Sequence, residues 1–333
     1  MHDLLVIGAG PAGITAAREA KLQSISCVVL ERGVVADTVY RYPLATVLFS
    51  TSNEVEIEQG ALPAERKPTR EEVLAHYNDV ARREELSMRC GQEAVGIVRT
   101  TDGFDVRTAA GCYASRTVLA AVGGFGRVRR LGVPGETPDR VSYRLVDPRP
   151  YRASRILVVG GGNSAAEAAL SLSHAGAVVT MCVRAASLDR NPDSKSTSAA
   201  IKQWVREPLE RAAAEGLIRI LTGAEVARID AGSALVRDRA GSFQTIRCGH
   251  VFAMIGADPD TRILEEAGAR VAGDGRPVYN PLTNETTVGG LFVAGHLTRE
   301  RHIRNAVESA RNVVRTIAAR LREGRIGYGC AQG

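Results

Sequence analysis

The chain has 333 residues, 44% of them hydrophobic and 24% charged, which is a length for about two domains and a balance that excludes a disordered or low-complexity polymer. Aromatic residues are only 5%, so stacking platforms for single-stranded nucleic acid are not expected. The formal net charge of +6 rests on 39 Arg against 4 Lys; so lopsided a ratio reads as codon usage rather than a nucleic-acid surface, and suits an anionic small ligand or an acidic protein partner.

The first element is an apolar strand, Leu4 to Ile7, preceded only by Met1-His2-Asp3. No basic leader precedes it, and no run of 18 apolar residues follows anywhere in the chain. A cytoplasmic protein with no membrane span is therefore expected. The strand runs into Gly8-Ala-Gly10-Pro11-Ala12-Gly13, then a small-residue helix, then Ser26-Cys-Val-Val-Leu-Glu31. This is GxGxxG between a strand and a helix. Gly8 permits the tight turn, Gly10 lets a pyrophosphate approach the backbone, and Gly13 lets helix and strand pack closely. The helix start presents free N–H groups to phosphate. Glu31, 18 residues beyond Gly13, is the acid expected to take ribose hydroxyls. The unit is read as a dinucleotide site.

Residues 35–66 are turn-rich. A helix is predicted over 69–86, opened by a capping-box spacing from Thr69 to Glu72 with apolar residues at Val73, Leu74, Tyr77, Val80 and Ala81. Residues 93–122 alternate in short runs broken by Asp102-Gly103 and Ala110-Gly111, which predicts hairpins. Gly123 to Gly135 reads as a crossing between domains.

A second strand–turn–helix–strand unit starts at Arg155, 152 residues after the first by its leading glycine. Its loop is Gly160-Gly-Gly162-Asn163-Ser164-Ala165, with Ala in the third position, an accepted variant. Its second strand ends in Arg184 rather than an acid. An acid there repels a 2′-phosphate and Arg pairs with one, so the second nucleotide is read as NADPH. Two dinucleotide folds in one chain imply electron transfer between two cofactors, FAD first and NADPH second. A helix over 196–215, strands near 217–229, 233–238 and 243–255, a strand from Leu291 to Gly295 and a helix over about 302–322 complete the reading. Residues 324–333 form a glycine-rich tail.

The sequence resembles the two-dinucleotide-binding-domain flavoproteins that include bacterial thioredoxin reductase. Leu131-Gly-Val-Pro-Gly-Glu136 and Val251–Thr261 look like the two interdomain crossings, and Thr287–Gly295 like the last flavin-binding strand. Arg304-Asn305-Ala306 resembles the start of the final helix, whose dipole stabilises negative charge on reduced flavin. The redox CxxC expected after Val141-Ser-Tyr143 is absent. The chain is more similar to the bacillithiol-disulfide reductase subgroup, which also lacks it. Tyr42-Pro43, Leu48–Ser52, Lys67-Pro-Thr-Arg70 and Ile201–Val205 carry that likeness.

The resemblance implies an α/β fold of two Rossmann-like domains with parallel sheets and a β-meander. An FAD domain of residues 1–127 and 257–333 would be interrupted by an NADPH domain of residues 128–256. It implies a homodimer and reduction of a small thiol disulfide. Flavin-side residues are then Arg32, Tyr42, Ser50, Thr51, Gly123, Gly295, His296, Arg304, Asn305 and Ala306, beside the first glycine loop. Gly160, Gly162, Asn163, Ser164 and Arg184 would hold NADPH. Two positions depart from the pattern: Ala12 replaces the subgroup's loop Cys, and His296 replaces the superfamily's Asp. No metal site is expected.

Candidates for chemistry beyond the hydride step are His302, as a proton donor, and Cys330, as a thiol on the tail. Cys27 and Cys182 are read as core residues; Cys90, Cys112 and Cys248 lie at strand ends or turns. Three readings beside the disulfide reductase stay open: a reductase of ferredoxin, flavodoxin or another acceptor; a flavin monooxygenase or oxidase; and a non-catalytic nucleotide-binding redox sensor.

Overall fold

The computed structural model describes residues 1–188, 201–298 and 302–324. The chain forms two units. One comprises Met1–Arg41, Ala45–Arg127 and the described part of Asp258–Gly333; the other comprises Tyr42–Leu44 and the described part of Val128–Ala257.

In chain order the first unit begins with β1 (His2–Ile7), α1 (Pro11–Leu22), β2 (Cys27–Glu31), α2 (Asp37–Tyr40), α3 (Ser52–Val55) and α4 (Arg70–Arg83). Strands β3 (Met88–Cys90), β4 (Gly96–Arg99), β5 (Phe104–Thr108) and β6 (Gly111–Ala120) follow. Short β7 (Arg127–Val128) leads to β8 (Val141–Ser142), β9 (Arg155–Val159), α5 (Asn163–His174), β10 (Val178–Val183) and α6 (Gln203–Ala214). Next come β11 (Ile218–Thr222), β12 (Ala224–Asp230), β13 (Ser233–Asp238), β14 (Phe243–Arg247), β15 (His250–Ala253) and β16 (Ala257–Asp258). The chain returns through α7 (Arg262–Glu266), β17 (Leu291–Val293) and α8 (Ile303–Arg322).

The first sheet runs β3-β2-β1-β6-β5-β4, and β17 also pairs with β6. Pairings among β3, β2, β1, β6 and β17 are parallel, and those joining β6, β5 and β4 are antiparallel. Alternation along β1 splits its apolar residues between two cores, as the two-residue period of a strand requires. Leu4 and Val6 pack with Ala16, Ala20, Val313 and Ile317 from α1 and α8. Leu5 and Ile7 pack with Phe104, Val106 and Leu264 on the other face. A sheet covered on both faces reads as a continuous apolar run, which is how Leu4–Ile7 looks in sequence.

The second unit has an all-parallel sheet, β11-β10-β9-β15-β8, and an antiparallel meander, β12-β13-β14. Ile156 and Val158 pack with Ala165, Ala169, Leu172 and Leu209 of α5 and α6. Leu157 and Val159 pack with Val226, Val236 and Ile246 of the meander. Both units are thus layered α/β structures, and no helix among the described residues is long and apolar enough to cross a membrane.

Several boundaries differ from the sequence reading. The predicted helix over 69–86 is Arg70–Arg83, with Thr69 as N-cap and the Glu72 capping box formed. The single strand expected near 217–229 is two, because Gly223 turns the chain with φ of +62°. The run 243–255 likewise divides into β14 and β15. The turn-rich stretch 35–66 contains the one-turn helices α2 and α3, too short to show a period. Residues 196–200 and 325–333 of the predicted helix and tail lie outside the described residues.

Candidate nucleotide sites

The first glycine loop joins β1 to α1. Gly8 has φ of +105°, and a Cβ there would meet Ala121 O at 2.5 Å. A Cβ on Gly13 would lie 1.8 Å from Gly8 O, so helix and strand approach too closely for any side chain. At Gly10 the opposite holds: nothing lies within 4 Å of the place a Cβ would take. The loop therefore leaves open space above Gly10 at the start of a helix with no acid in its first turn. That is the form a pyrophosphate requires.

Glu31 ends β2 and is 7% exposed. Its Oε2 accepts from Ala9 N–H at 2.8 Å and its Oε1 from Gly33 N–H at 2.7 Å. Each carboxylate oxygen keeps a second lone pair, so the group can hold the loop and still accept from ribose hydroxyls. The fit to an adenine dinucleotide is good at every one of these positions. Arg32 is exposed.

The far strand of this sheet ends in a clamped turn. Gly295 has φ of +70°, and a Cβ on it would lie 3.2 Å from the methyl of Ala12 and 3.6 Å from that of Ala306. Ala12 and Ala306 are 4% and 6% exposed. Gly295 N–H donates to Ser309 Oγ at 3.2 Å, and Thr298 Oγ1 donates to Gly295 O at 2.7 Å. His296 makes an edge contact with Phe125, ring centroids 5.8 Å apart, and abuts the backbone at Gly124. Gly123 is open, with φ of +75°.

The sequence reading missed Arg276. It is 8% exposed, and its Nη1 donates to the carbonyls of His296 (2.9 Å) and Thr298. One arginine among 39 gives no signal of this. It missed His76 too, whose Nε2 accepts Ile57 N–H at 3.1 Å. Burial lowers the His76 pKa, which favours the neutral ring that this acceptor role needs. Tyr77 Oη donates to Val55 O at 2.8 Å. Together they fasten the segment after α3 to α4.

Thr51 and Arg304 line one cleft of about 540 Å3 with Glu54, Gln59, Glu308 and Arg311. Thr51 caps α3 reciprocally with Glu54. Its backbone N–H holds the Glu54 carboxyl below the usual range, aided by its hydroxyl and by the charges of His302 and Arg304. Arg304 Nε donates to Glu308 at 2.9 Å and is largely exposed. His302 is the exposed N-cap of α8 and makes no side-chain capping bond. Ser50 and Asn305 are partly buried. Tyr42, read from sequence as a flavin-side residue, lies in a short segment that groups with the second unit. Its segment is anchored where Leu44 N–H donates to Val146 O at 3.0 Å. Burial pushes its phenol pKa up.

The second loop repeats the logic with a difference. A Cβ on Gly160 (φ +145°) would meet Met254 O at 2.4 Å, whereas Gly162 has nothing within 4 Å. The third position is Ala165, fully buried, with its methyl close against Gly160. The helix stands just far enough off the strand to admit one carbon. Asn163 Oδ1 accepts Lys202 N–H at 2.8 Å, so this side chain ties α5 to the start of α6. Ser164 and Arg184 are exposed.

Glu167, on α5, is half-buried, and burial pushes its carboxyl up to about 7, opposed by the charge of Lys202. A carboxyl whose pKa rises from 4.5 on folding supports the folded state below pH 4.5, and that support is lost as pH climbs through 7. Glu167→Gln is therefore expected to stabilise the protein by about 3 kcal/mol at pH 8, from the rise of 4.5 to about 7 at roughly 1.4 kcal/mol for each tenfold change in proton affinity, and to change little at pH 4.5. Urea unfolding at the two pH values checks this; equal effects at both would refute it.

The thiols are quiet. Burial pushes Cys27 and Cys182 up to about 12 and Cys248 to about 11, and Cys182 donates to Ala224 O. Cys90 and Cys112 are exposed and unbridged. Cys330 lies outside the described residues. No metal-binding cluster occurs among the described residues.

Two glycine turns, each between parallel-paired strands and open above its middle glycine, define a protein of the two-dinucleotide class. The chain matches the pyridine nucleotide-disulphide oxidoreductase family over residues 5–295 and belongs to it. It is thus an oxidoreductase of a family that uses flavin and pyridine nucleotide. It is 33% identical to a bacilliredoxin reductase of Bacillus subtilis, over 87% of this chain and 88% of that one. It is 28% identical to a ferredoxin–NADP reductase of Ignicoccus hospitalis, over 90% of each. The solved structure of a bacillithiol disulfide reductase from Bacillus cereus superposes with a TM-score of 0.87 at 30% identity, covering 96% of this chain and 99% of that one. The fold is that of thioredoxin reductases, as in the Lactococcus lactis enzyme, with a TM-score of 0.79 at 23% identity over 97% of this chain and 100% of that one.

Proposed function

We propose that the chain is an FAD-dependent NADPH oxidoreductase that reduces a low-molecular-weight thiol disulfide. The observation that carries this is the pair of glycine turns with opposite partners: buried Glu31 closes the first and exposed Arg184 stands at the corresponding strand end of the second. A carboxylate suits free ribose hydroxyls, and a guanidinium suits a 2′-phosphate. The likeness to enzymes named for bacillithiol disulfide and bacilliredoxin supports the acceptor. On this reading residues 1–127 and 257–333 hold FAD, residues 128–256 hold NADPH, and two copies pair in the cytoplasm.

A bound flavin would supply the hydride and electron chemistry between NADPH and the acceptor. The chain's part is to hold and to polarise. Gly8, Gly10, Pro11 and Gly13 shape the phosphate seat, and Glu31 fixes the ribose. Gly295, His296 and Arg276 set the turn beside Ala12. The N–H groups at Arg304 and Asn305 open α8 towards negative charge, while that of Ala306 closes the first turn on His302 O. His302, at that helix start, is placed to carry a proton.

A second reading is favoured by Ala12. No thiol stands in the first glycine loop, and burial holds Cys27, Cys182 and Cys248 protonated, which favours an acceptor that needs no thiol of that loop. Transfer to an acidic electron-transfer protein fits that, with the net charge of +6. An anaerobic NADPH titration tests both: stoichiometric bleaching of the flavin band near 450 nm is expected, and absence of bleaching refutes the reductase. Reoxidation by bacillithiol disulfide supports the first acceptor; reoxidation by ferredoxin alone supports the second.

A further inference from the structure

The second unit carries an open surface depression that the two glycine turns do not account for. It measures about 280 Å3 and is lined by Ala186, Thr222, Gly223, Asp238, Arg239 and Ala240. Its position follows from strand register. Val183, the last residue of β10, pairs with Thr222, the last of β11. One step further, Gly223 N–H donates to Ala185 O at 2.7 Å. The depression therefore adjoins the strand end where Arg184 stands.

The turn between β13 and β14 brings Arg239 to the same place. Its stem lies flat on Gly223: a Cβ there would be 3.2 Å from Arg239 Cδ and 3.3 Å from its Cγ and Nε. Glycine at 223 thus serves both a positive φ and this close approach. Neighbouring arginines of the meander are neutralised, Arg237 by Glu225 and Arg228 by Asp230. Arg239 makes no ion pair among the described residues. Asp238 shares the lining, with its Oδ1 accepting Ser242 N–H at 2.9 Å within its own turn. The lining itself carries one carboxylate, Asp238, and one guanidinium, Arg239.

We propose that Arg239 is a specificity-determining residue for the nucleotide, its guanidinium joining Arg184 to bind the 2′-phosphate of NADPH. This rests on the reading of the second unit as the NADPH unit. A guanidinium–phosphate contact is charge-assisted and bidentate. The alkyl stem spread on Gly223 restrains the fork before the ligand arrives, which reduces the ordering cost.

Calorimetric titration with NADPH, NADH and adenosine 2′,5′-bisphosphate tests it. Arg239→Ala is expected to weaken NADPH and the bisphosphate about tenfold or more, the scale of one hydrogen bond to a charged group, and to leave NADH unchanged. Arg239→Lys should restore part of the loss. Arg237→Ala, whose partner is Glu225, should leave discrimination intact. Equal weakening of NADPH and NADH by Arg239→Ala, or none, overturns the proposal while the NADPH reading survives. If the wild-type protein itself binds NADH as tightly as NADPH, both fall together.

Discussion

Gly13→Ala is expected to yield protein that retains no flavin and is destabilised by about 4 kcal/mol or more, the range reserved for substitutions with a specific structural cause. The cause is steric. The added carbon would sit 1.8 Å from Gly8 O and 3.5 Å from Val6 Cγ1. The carbonyl belongs to the turn that α1 packs against and is not the movable end of a side chain. Relief requires α1 to move away from β1, which unpacks Ala16 and Ala20 from Leu4 and Val6 and reshapes the open space at Gly10. The second unit supplies an internal comparison, since its third loop position is already Ala165, buried and accommodated. Ala165→Gly is expected to be mild. Thermal unfolding and the 450 nm to 280 nm absorbance ratio check both; a Gly13→Ala protein with normal flavin content would refute the steric argument.

The second large effect is expected at Glu31. Glu31→Ala removes two charge-assisted bonds from buried surroundings, leaving Ala9 N–H and Gly33 N–H without their acceptor. At about 1.5–3 kcal/mol each, the two together amount to roughly 3–6 kcal/mol, shared between loop stability and cofactor affinity. FAD titrated into the stripped protein, followed by flavin fluorescence, should bind at least about 100-fold more weakly, the equivalent of ~3 kcal/mol. Glu31→Gln, which keeps one acceptor oxygen, should fall between. Unchanged FAD affinity in Glu31→Ala would remove Glu31 from the site.

The parts of this protein that are legible in sequence are those where one residue type alone satisfies the backbone. Gly8, Gly13 and Gly160 each stand where a side chain would strike a carbonyl, and such positions announce themselves. The capping box from Thr69 to Glu72 is legible because a few neighbouring residues fix the geometry between them. The cofactor assignment relies on a single contrast, Glu31 against Arg184, at matching strand ends. What stays hidden depends on partners far apart in the chain. Arg276 holds carbonyls 20 and 22 residues away, and His76 serves an amide 19 residues back. A buried, satisfied arginine and an exposed one look alike in sequence. The division of β11 from β12 is concealed by a nearly continuous run of strand-forming residues, although Gly223 sits in its midst.

The first sheet is closed by residues at both ends of its unit. Strand β17 pairs Leu291, Phe292 and Val293 with Val118, Leu119 and Ala120 of β6, and α8 seals the face that α1 begins. Between β6 and β17 lies nearly all of the second unit. During synthesis at about 5–20 residues per second, β1 and β6 emerge well before the strand and helix that cover them. The second unit, whose contacts lie within one uninterrupted span apart from Tyr42–Leu44, is free to fold while the first waits with apolar edges uncovered. The first unit, begun before the second, can thus be completed only after the second has been synthesised.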